Sequence, residues 1–206
     1  MERTSVVAVL VAAAFGASSL PGLAQQGNPA GASPSSMAPA SAPVPSPQDR
    51  LFVLLAGQGG LAEVELAKLA QSKAQSQAVK QFASRMIEEH TKANSQLTTA
   101  ARQSALEPPS VPAAEHEAMR SQLASVDGAS FDDEYLRSQL VEHQKAAQLL
   151  QWEMGNGQQA PLQRFAVSTL PAVLDHLGHV QQWLAELTGA PTRTSDGPIT
   201  SFQRRP

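Results

Sequence analysis

The sequence contains no cysteine, and only 4% of its 206 residues are aromatic. Without a thiol, the chain has no disulfide, thiolate zinc site, iron–sulfur cluster or cysteine nucleophile. The scarcity of aromatic residues leaves alanine and leucine to build a core, which favours helices over sheets. A formal charge of −3, without a long basic run, gives little basis for binding nucleic acid or an anionic membrane. These absences favour an all-α protein whose chemistry runs through carboxylates and imidazoles.

The first 24 residues have the pattern of a secretory signal peptide. Arg3 supplies a short basic start, residues 6–15 are apolar, and Gly22-Leu23-Ala24 offers small residues for cleavage. A retained N-terminal anchor is the alternative. No later run approaches the roughly 20 apolar residues of a membrane span, so the mature chain is predicted to have no integral membrane segment. The sequence therefore predicts an exported protein.

Segments of low complexity flank the central region. Residues 25–48 are almost entirely Gly, Ala, Ser, Pro and Gln, a composition that buries too little apolar surface to offset the entropy of ordering. We interpret them as a disordered, partly polyproline spacer, with a role as an SH3-type ligand as the alternative. Residues 189–206 are predicted to form a disordered tail. The folded domain is therefore predicted to span residues 49–188.

Apolar residues recur at helical spacing throughout this domain. The spacing predicts four long helices, over about 49–73, 77–103, 130–154 and 161–187. Three prolines within 108–112 break the chain after the second helix. A short helix over about 115–125 is then expected to cross one end of the bundle. Leu51 and Leu55 are expected on the inward stripe of the first helix, and Pro171 is expected to kink the last. The pattern predicts an antiparallel four-helix bundle with a short crossing helix between the second and third long helices.

Three of the five histidines fall on the inward faces of three different helices. At about 100° per residue, His90, His143 and His176 each lie among apolar residues near mid-height. On the first helix, Glu65 is the more inward carboxylate by the helical wheel, whereas Glu63 matches the height of His90 better. The pattern therefore predicts one polar layer in the middle of the bundle, made of Glu63 or Glu65 with the three histidines.

Two interpretations of this layer remain open. It is a hydrogen-bonded network in which a carboxylate orients imidazoles, or it is a metal site, because imidazole and carboxylate bind divalent and iron-type transition metals. Asp132 falls on the inward face near a helix start and His179 faces the flank, so both are candidates for supporting the ligands. His116 is expected in solvent, and Glu88 and Glu89 are expected on a solvated helix face.

No catalytic template accompanies this layer. The sequence has no Gly-x-Ser-x-Gly motif, no glycine-rich phosphate loop, no His-Glu-x-x-His and no dinucleotide fingerprint. Trp152 points away from the stripe of its helix and is expected to pack under the connection between the second and third long helices. The sequence therefore favours a role other than catalysis.

Four segments resemble a family of exported bacterial proteins, described as a domain of unknown function and often labelled outer membrane proteins. These segments are LAEVELAKLA (61–70), FASRMIEEHT (82–91), FDDEYL (131–136) with His143, and LPAVLDHL (170–177). The resemblance implies a ferritin-like bundle in the periplasm or associated with the outer membrane. The recurring positions of the family correspond here to Glu63, His90, Asp132, Tyr135, His143 and His176. The resemblance thus adds Tyr135 to the residues that support the layer.

The family has no settled activity to transfer. Di-iron ferritins use Glu-x-x-His pairs, and no histidine here follows a glutamate by three residues, so ferroxidase or iron-storage activity is not implied. We therefore expect an exported helical bundle with a binding or structural role, in envelope stress by family context, and an unidentified protein or small ligand as partner. The alternative is a metal-binding protein that uses the mid-bundle cluster for metal sequestration or redox protection.

Overall fold

Five α-helices form the described part of the protein, which in the computed structural model is residues 44–188, with side chains to residue 186. The helices are α1 (Pro47–Lys73), α2 (Gln77–Gln103), α3 (Ala114–Ala124), α4 (Ala129–Asn156) and α5 (Ala160–Thr188). They confirm the predicted all-α bundle of four long helices with a short helix between the second and third. The predicted signal peptide, the spacer as far as residue 43 and the predicted tail lie outside the described residues.

The bundle begins two residues before the predicted boundary, at Pro47 rather than Asp49. Ser46 caps α1, because its hydroxyl accepts a hydrogen bond from Asp49 N (3.1 Å) while Asp49 Oδ2 accepts one from Ser46 N (2.6 Å). Pro47 occupies the first turn, where its missing N–H costs no hydrogen bond. The last residues of the predicted spacer therefore belong to the bundle.

Neighbouring long helices are antiparallel. α1 pairs with α2 and α4 with α5, and α1 also packs against α4, as α2 does against α5. The start of α1 lies beside the end of α4, where Gln48 Nε2 donates to Trp152 O (3.2 Å). The end of α1 lies beside the start of α4, where Gln75 N donates to Asp132 Oδ1 (2.9 Å). None of the described helices has both the length and the hydropathy that crossing a membrane requires.

Helix α3 runs along the bundle, and the prediction that it crosses one end was wrong. It packs beside α1 and α4, with Arg120 Nε 3.7 Å from Glu65 Oε2 and His116 Nε2 3.3 Å from Glu142 Oε2. The reason is topological: α2 ends at the opposite end of the bundle from the start of α4. The connection over 104–128 therefore has to travel the length of the bundle.

Two apolar clusters fill the core, and each long helix contributes to both. The first cluster includes Leu66, Met86, Leu136 and Val180, and the second includes Phe52, Leu97, Ala147 and Val173. On every long helix, one predicted layer residue lies in sequence between the two contributions: Glu63, His90, His143 and His176. The fold thus places a polar layer between two apolar layers.

The inward face of α1 differs from the predicted stripe at its start. Phe52 and Val53 are buried, whereas Leu51 and Leu55 are each 43% exposed. Residues 51–55 are apolar throughout, so spacing alone did not specify which of them face the core. Pro171 lies inside helix α5 and does not end it.

The two helical hairpins, α1–α2 and α4–α5, hold each other at their turns in the same way. Asp49 Oδ1 accepts hydrogen bonds from the backbone N–H groups of residues 158–159, in the α4–α5 turn (2.9 and 3.2 Å). The Asp132 carboxylate accepts them from residues 75–76, in the α1–α2 turn (2.9 and 2.7 Å). The residue numbers of Asp49 and Asp132 differ by the same amount as those of residues 75–76 and 158–159, so the two contacts are equivalent. We call this difference the offset between the hairpins.

Two aromatic contacts are related by the same offset. Phe52 meets Phe165 edge to face at 6.2 Å, and Tyr135 meets Phe82 at 6.5 Å, both with an interplanar angle of 61°. The offset relates Phe52 to Tyr135 and Phe82 to Phe165. The bundle is therefore built from two equivalent hairpins related by an approximate two-fold axis.

Candidate metal centre

His90 of α2, His143 of α4 and His176 of α5 converge between the two apolar clusters. One ring nitrogen from each of them lies within 4.8 Å of the other two, and His143 Nε2 lies 3.3 Å from His176 Nδ1. The His90 ring stacks on His176 and meets His143 edge-on, with both centroid distances 5.6 Å. His143 and His176 are buried, whereas His90 is partly exposed. The structure thus brings together the three imidazoles that the sequence placed in one layer.

Outer hydrogen bonds set the tautomers of two of these imidazoles. His143 Nδ1 lies 3.0 Å from the backbone oxygen of Gln139, which can only accept, so Nδ1 carries the proton. His176 Nε2 lies 2.8 Å from Glu89 Oε2, and a proton on Nε2 satisfies that carboxylate. In neutral rings, this leaves lone pairs on His143 Nε2 and His176 Nδ1, the two atoms that face each other.

The histidines are held in their neutral forms. Burial lowers the pKa of His143 to about 4 and that of His90 to about 3, and neighbouring imidazoles add to both shifts. Burial also lowers the pKa of His176, although Glu89 acts in the opposite direction. Burial acts to raise the pKa of Glu89, but the hydrogen bonds and charges of Arg85 and His176 together lower it, so Glu89 stays ionised. A proton shared between His143 and His176 is thus disfavoured at neutral pH.

Two nitrogen lone pairs that face each other at 3.3 Å repel, and a cation bound between them turns this repulsion into attraction. Metal–nitrogen bonds of about 2.0–2.1 Å in tetrahedral geometry separate the nitrogens by about 3.3–3.4 Å. The His143–His176 separation matches this value, and a ring nitrogen of His90 lies within 4.8 Å of both, close enough to complete a three-nitrogen set after a small movement. Ligating histidines usually donate their other N–H to a carboxylate or a backbone carbonyl, as His176 and His143 do here. The donor set therefore fits a transition-metal ion.

Glu63 is the first-helix carboxylate that reaches the layer. It is buried, its Oε1 lies 3.9 Å from His143 Nδ1, and its Oε2 has no hydrogen-bond partner among the described residues. Burial raises the pKa of Glu63 to about 8, the facing Gln139 amide opposes the shift and the charge of Glu142 adds to it. The pKa of buried Tyr135 is also raised, by burial and by the charge of Glu63. A neutral Glu63 thus adjoins the imidazoles without adding charge.

We expect the Glu63→Gln variant to gain stability over the metal-free wild type as pH rises from 5 to 8. Folded Glu63 keeps its proton up to about pH 8, whereas the unfolded chain releases it near its ordinary value of 4.5. Wild-type stability therefore falls through this window, by up to about 1.4 kcal/mol per pH unit, and the amide removes that fall. Urea unfolding of both proteins across the window measures the difference. A difference that does not vary with pH would show that Glu63 titrates normally.

Other residues that the sequence proposed for the layer lie elsewhere. Glu65 is half-exposed beside Arg120 (3.7 Å), and Asp132 binds the turn between α1 and α2. His179 is partly exposed, stacks on Trp183 (5.8 Å between centroids) and lies 3.6 Å from Asp175 Oδ2. Of the two α1 carboxylates that the sequence proposed for the layer, the structure therefore brings only Glu63 to the imidazoles.

Two further expectations about polar residues were wrong. His116 is buried rather than solvated, with Glu142 3.3 Å away, because α3 lies against α4. Glu89 is half-buried and binds His176, and Arg85 in turn donates to Glu89 Oε1 (2.7 Å). Glu89 lies off the apolar stripe of α2 and faces α5, so no periodicity within α2 could have identified it. Only the packing of two helices reveals that role.

Trp152 is partly exposed on α4. It is 38% exposed and lines a cavity beside the histidines, as do Glu115 and His116 of the connection between α2 and α4. That Trp152 packs under this connection stays a prediction.

Fold and site together define a four-helix bundle with a buried three-histidine centre. Residues 34–183 match the model of the family described as Domain of unknown function (DUF4142). The chain therefore belongs to the DUF4142 family, an uncharacterised helical family. No curated protein matches the sequence significantly.

Solved structures share the fold at low sequence identity. A DUF305 fragment from Deinococcus radiodurans is similar, with a TM-score of 0.61, 17% identity and coverage of 70% of this chain and 99% of that chain. A DUF305 protein from Streptomyces coelicolor has a TM-score of 0.59, 14% identity and coverage of 73% and 97%. CopM in its Cu(I)-bound form has a TM-score of 0.57, 17% identity and coverage of 68% and 96%. At these identities, the likeness shows the fold alone.

Proposed function

We propose that this bundle binds one transition-metal ion, with copper favoured, through His90, His143 and His176. The observation that carries the proposal is the facing pair of lone pairs on His143 Nε2 and His176 Nδ1, 3.3 Å apart. A purely hydrogen-bonded network would need a third proton for this contact, and the lowered pKa values of these imidazoles oppose it. A metal ion satisfies both nitrogens without that proton.

Copper is favoured over other ions by donor chemistry and by one structural relative. Imidazole suits zinc, copper, iron and nickel, and copper binds most tightly among divalent ions of the first transition row. CopM, which shares the fold, is described in Cu(I)-bound and Cu(II)-bound forms. The ionised Glu89 balances part of the added charge through His176. Metal sequestration or redox protection follows as the role of such a centre.

The same proposal includes an exported, ferritin-like protein in the periplasm or at the outer membrane, with a role in envelope stress. The signal-peptide pattern in residues 1–24 supports export, and the Streptomyces coelicolor relative is named as a candidate secreted protein. One long connection along an antiparallel bundle, as found between α2 and α4, is typical of ferritin-like folds.

Metal titration of the full chain, made without an affinity tag and stripped with a chelator, tests the proposal. We expect one equivalent of Cu(I) or Cu(II) to bind, more tightly than Zn(II). Binding should stabilise the fold by about 2.7 kcal/mol at a free-metal concentration of about 100 Kd, visible as a raised Tm. Isothermal titration against a competing chelator gives the stoichiometry, and thermal unfolding gives the shift.

Sub-stoichiometric binding with an unchanged Tm for copper, zinc, iron and manganese would contradict the proposal. It would favour a hydrogen-bonded network instead, since Arg85 links Glu89 to Asp175 (2.6 Å) and Glu89 binds His176. The bundle would then have a structural role or bind another partner.

A further inference from the structure

A cavity of about 760 Å³ opens beside the three imidazoles, which form part of its wall. The rest of the wall is mostly apolar and includes Leu55, Leu97, Leu149, Leu150, Phe165 and Val173. Cavities that hold small molecules are typically about 300–1,000 Å³ and mainly apolar, with a few convergent polar groups. This cavity therefore has the size and the lining of a small-molecule site.

The approximate two-fold repeat explains why this space is open. The offset that relates the hairpins gives three of the four residues of the polar layer small counterparts: Gly60 for His143, Ala93 for His176 and Ala146 for Glu63. All three small residues line the cavity. Three side chains that fill one side of the layer thus have only glycine or alanine on the other side.

The exposed edge of the cavity is mixed. Leu55 and Trp152 line it and remain 43% and 38% exposed, and it also includes the exposed polar side chains of Glu115, Lys145 and Gln148. Exposed aromatic and aliphatic side chains at the edge of a cavity give an apolar molecule a surface to enter along. Leu55 and Trp152 therefore offer an apolar ligand such a surface.

Two carboxylates of the wall are paired with cations. Glu142 accepts a hydrogen bond from Lys145 Nζ (2.8 Å), and Glu89 accepts one from Arg85 Nε (2.7 Å). Glu115 is exposed at the edge of the cavity, and Glu63 is buried beside His143. The wall is otherwise mostly apolar, which favours an uncharged ligand.

We propose that this cavity binds an uncharged small molecule with an aliphatic or aromatic body. The body lies against the leucine and phenylalanine walls, and one end of the molecule reaches the imidazoles. The proposal goes beyond metal binding and does not depend on it, because most of the cavity wall is made of residues other than the three histidines. A metal ion at the histidines would form the polar end of the same site.

The experiment uses the metal-free full chain and the neutral fluorescent probe N-phenyl-1-naphthylamine. We expect saturable emission at one probe per chain. Ala146→Leu and Ala93→Leu, which fill the cavity, should each weaken binding roughly tenfold or more, because the added carbons displace the probe. Ala78→Leu adds the same bulk to an exposed position of α2 and should leave binding unchanged. The titration is run without metal, so its outcome is separate from the failure of metal binding.

Energy transfer provides a second measurement that leaves the core intact. Trp152 lines the cavity and should pass its excitation to bound probe, and most of this transfer should disappear in Trp152→Phe, where Trp183 remains. Non-saturable binding would overturn the proposal. Equal affinity in the wild type and in a folded cavity-filling variant would also overturn it, as would unchanged transfer in Trp152→Phe.

Discussion

Replacing His143 with glutamine is expected to lower copper affinity at least about 100-fold, because it removes one of three ligands from the centre of the cluster. His143 contacts both other histidines, with His176 Nδ1 at 3.3 Å and the His90 ring at 5.6 Å between centroids. Competition titration against a copper chelator measures the change. His179→Gln is the matched control, since His179 is partly exposed beside Asp175 and should keep wild-type affinity.

Glu89 positions His176, so its replacement should lower copper affinity by less than the loss of a ligand does. Glu89→Gln keeps an acceptor for His176 Nε2 but loses the charge, so we expect a smaller loss of affinity, roughly tenfold. Its effect should come through the orientation and basicity of His176, to which Glu89 is hydrogen-bonded at 2.8 Å. Wild-type affinity in His143→Gln, or equal losses in His143→Gln and His179→Gln, would contradict the proposed ligand set.

Asp132→Ala is expected to destabilise the fold by about 3 kcal/mol, because it leaves two backbone N–H groups without their acceptor. These are the N–H groups of Gln75 and Ser76, which lie 2.9 and 2.7 Å from the carboxylate oxygens. The contact joins the two hairpins at one end of the bundle, as the Asp49 contact does at the other. Urea unfolding with an unchanged m-value measures the loss.

The neighbouring residue is the matched control. Asp133 is partly exposed and pairs with Arg137, four residues later on the same helix (2.8 Å), so Asp133→Ala should cost about 0.5 kcal/mol or less. Copper affinity should be unchanged in Asp132→Ala, which would separate this residue from the metal centre. Equal stability of the two variants would show that the carboxylate does not hold the turn.

The three histidines were predictable from one sequence because each lies on a long helix with a clear apolar stripe. A helical wheel then suffices to place His90, His143 and His176 inward. The choice between Glu63 and Glu65 was not predictable, because residues 51–55 of α1 are apolar on every side of the helix. Phe52 defines the buried face, and Glu63 follows it by about three full turns, so it shares that face.

Relations between helices carry the information that the sequence lacked. Glu89 binds His176 of α5, although it lies off the apolar stripe of its own helix. The path of α3 along the bundle follows from where α2 ends and α4 starts. The repeat of the two hairpins was also hidden, since it preserves contacts such as those of Asp49 and Asp132 more than residue identity. Each of these features requires the register of one helix against another, which periodicity within a helix does not contain.

X-ray absorption at the copper edge of the loaded full chain tests the central claim most directly, because it counts the ligands of the ion. The account predicts two to three imidazole nitrogens at about 2.0 Å from copper. It also predicts that this imidazole scattering falls in His143→Gln and stays unchanged in His179→Gln. A spectrum dominated by oxygen ligands, or one unchanged by His143→Gln, would contradict a metal centre built on His90, His143 and His176.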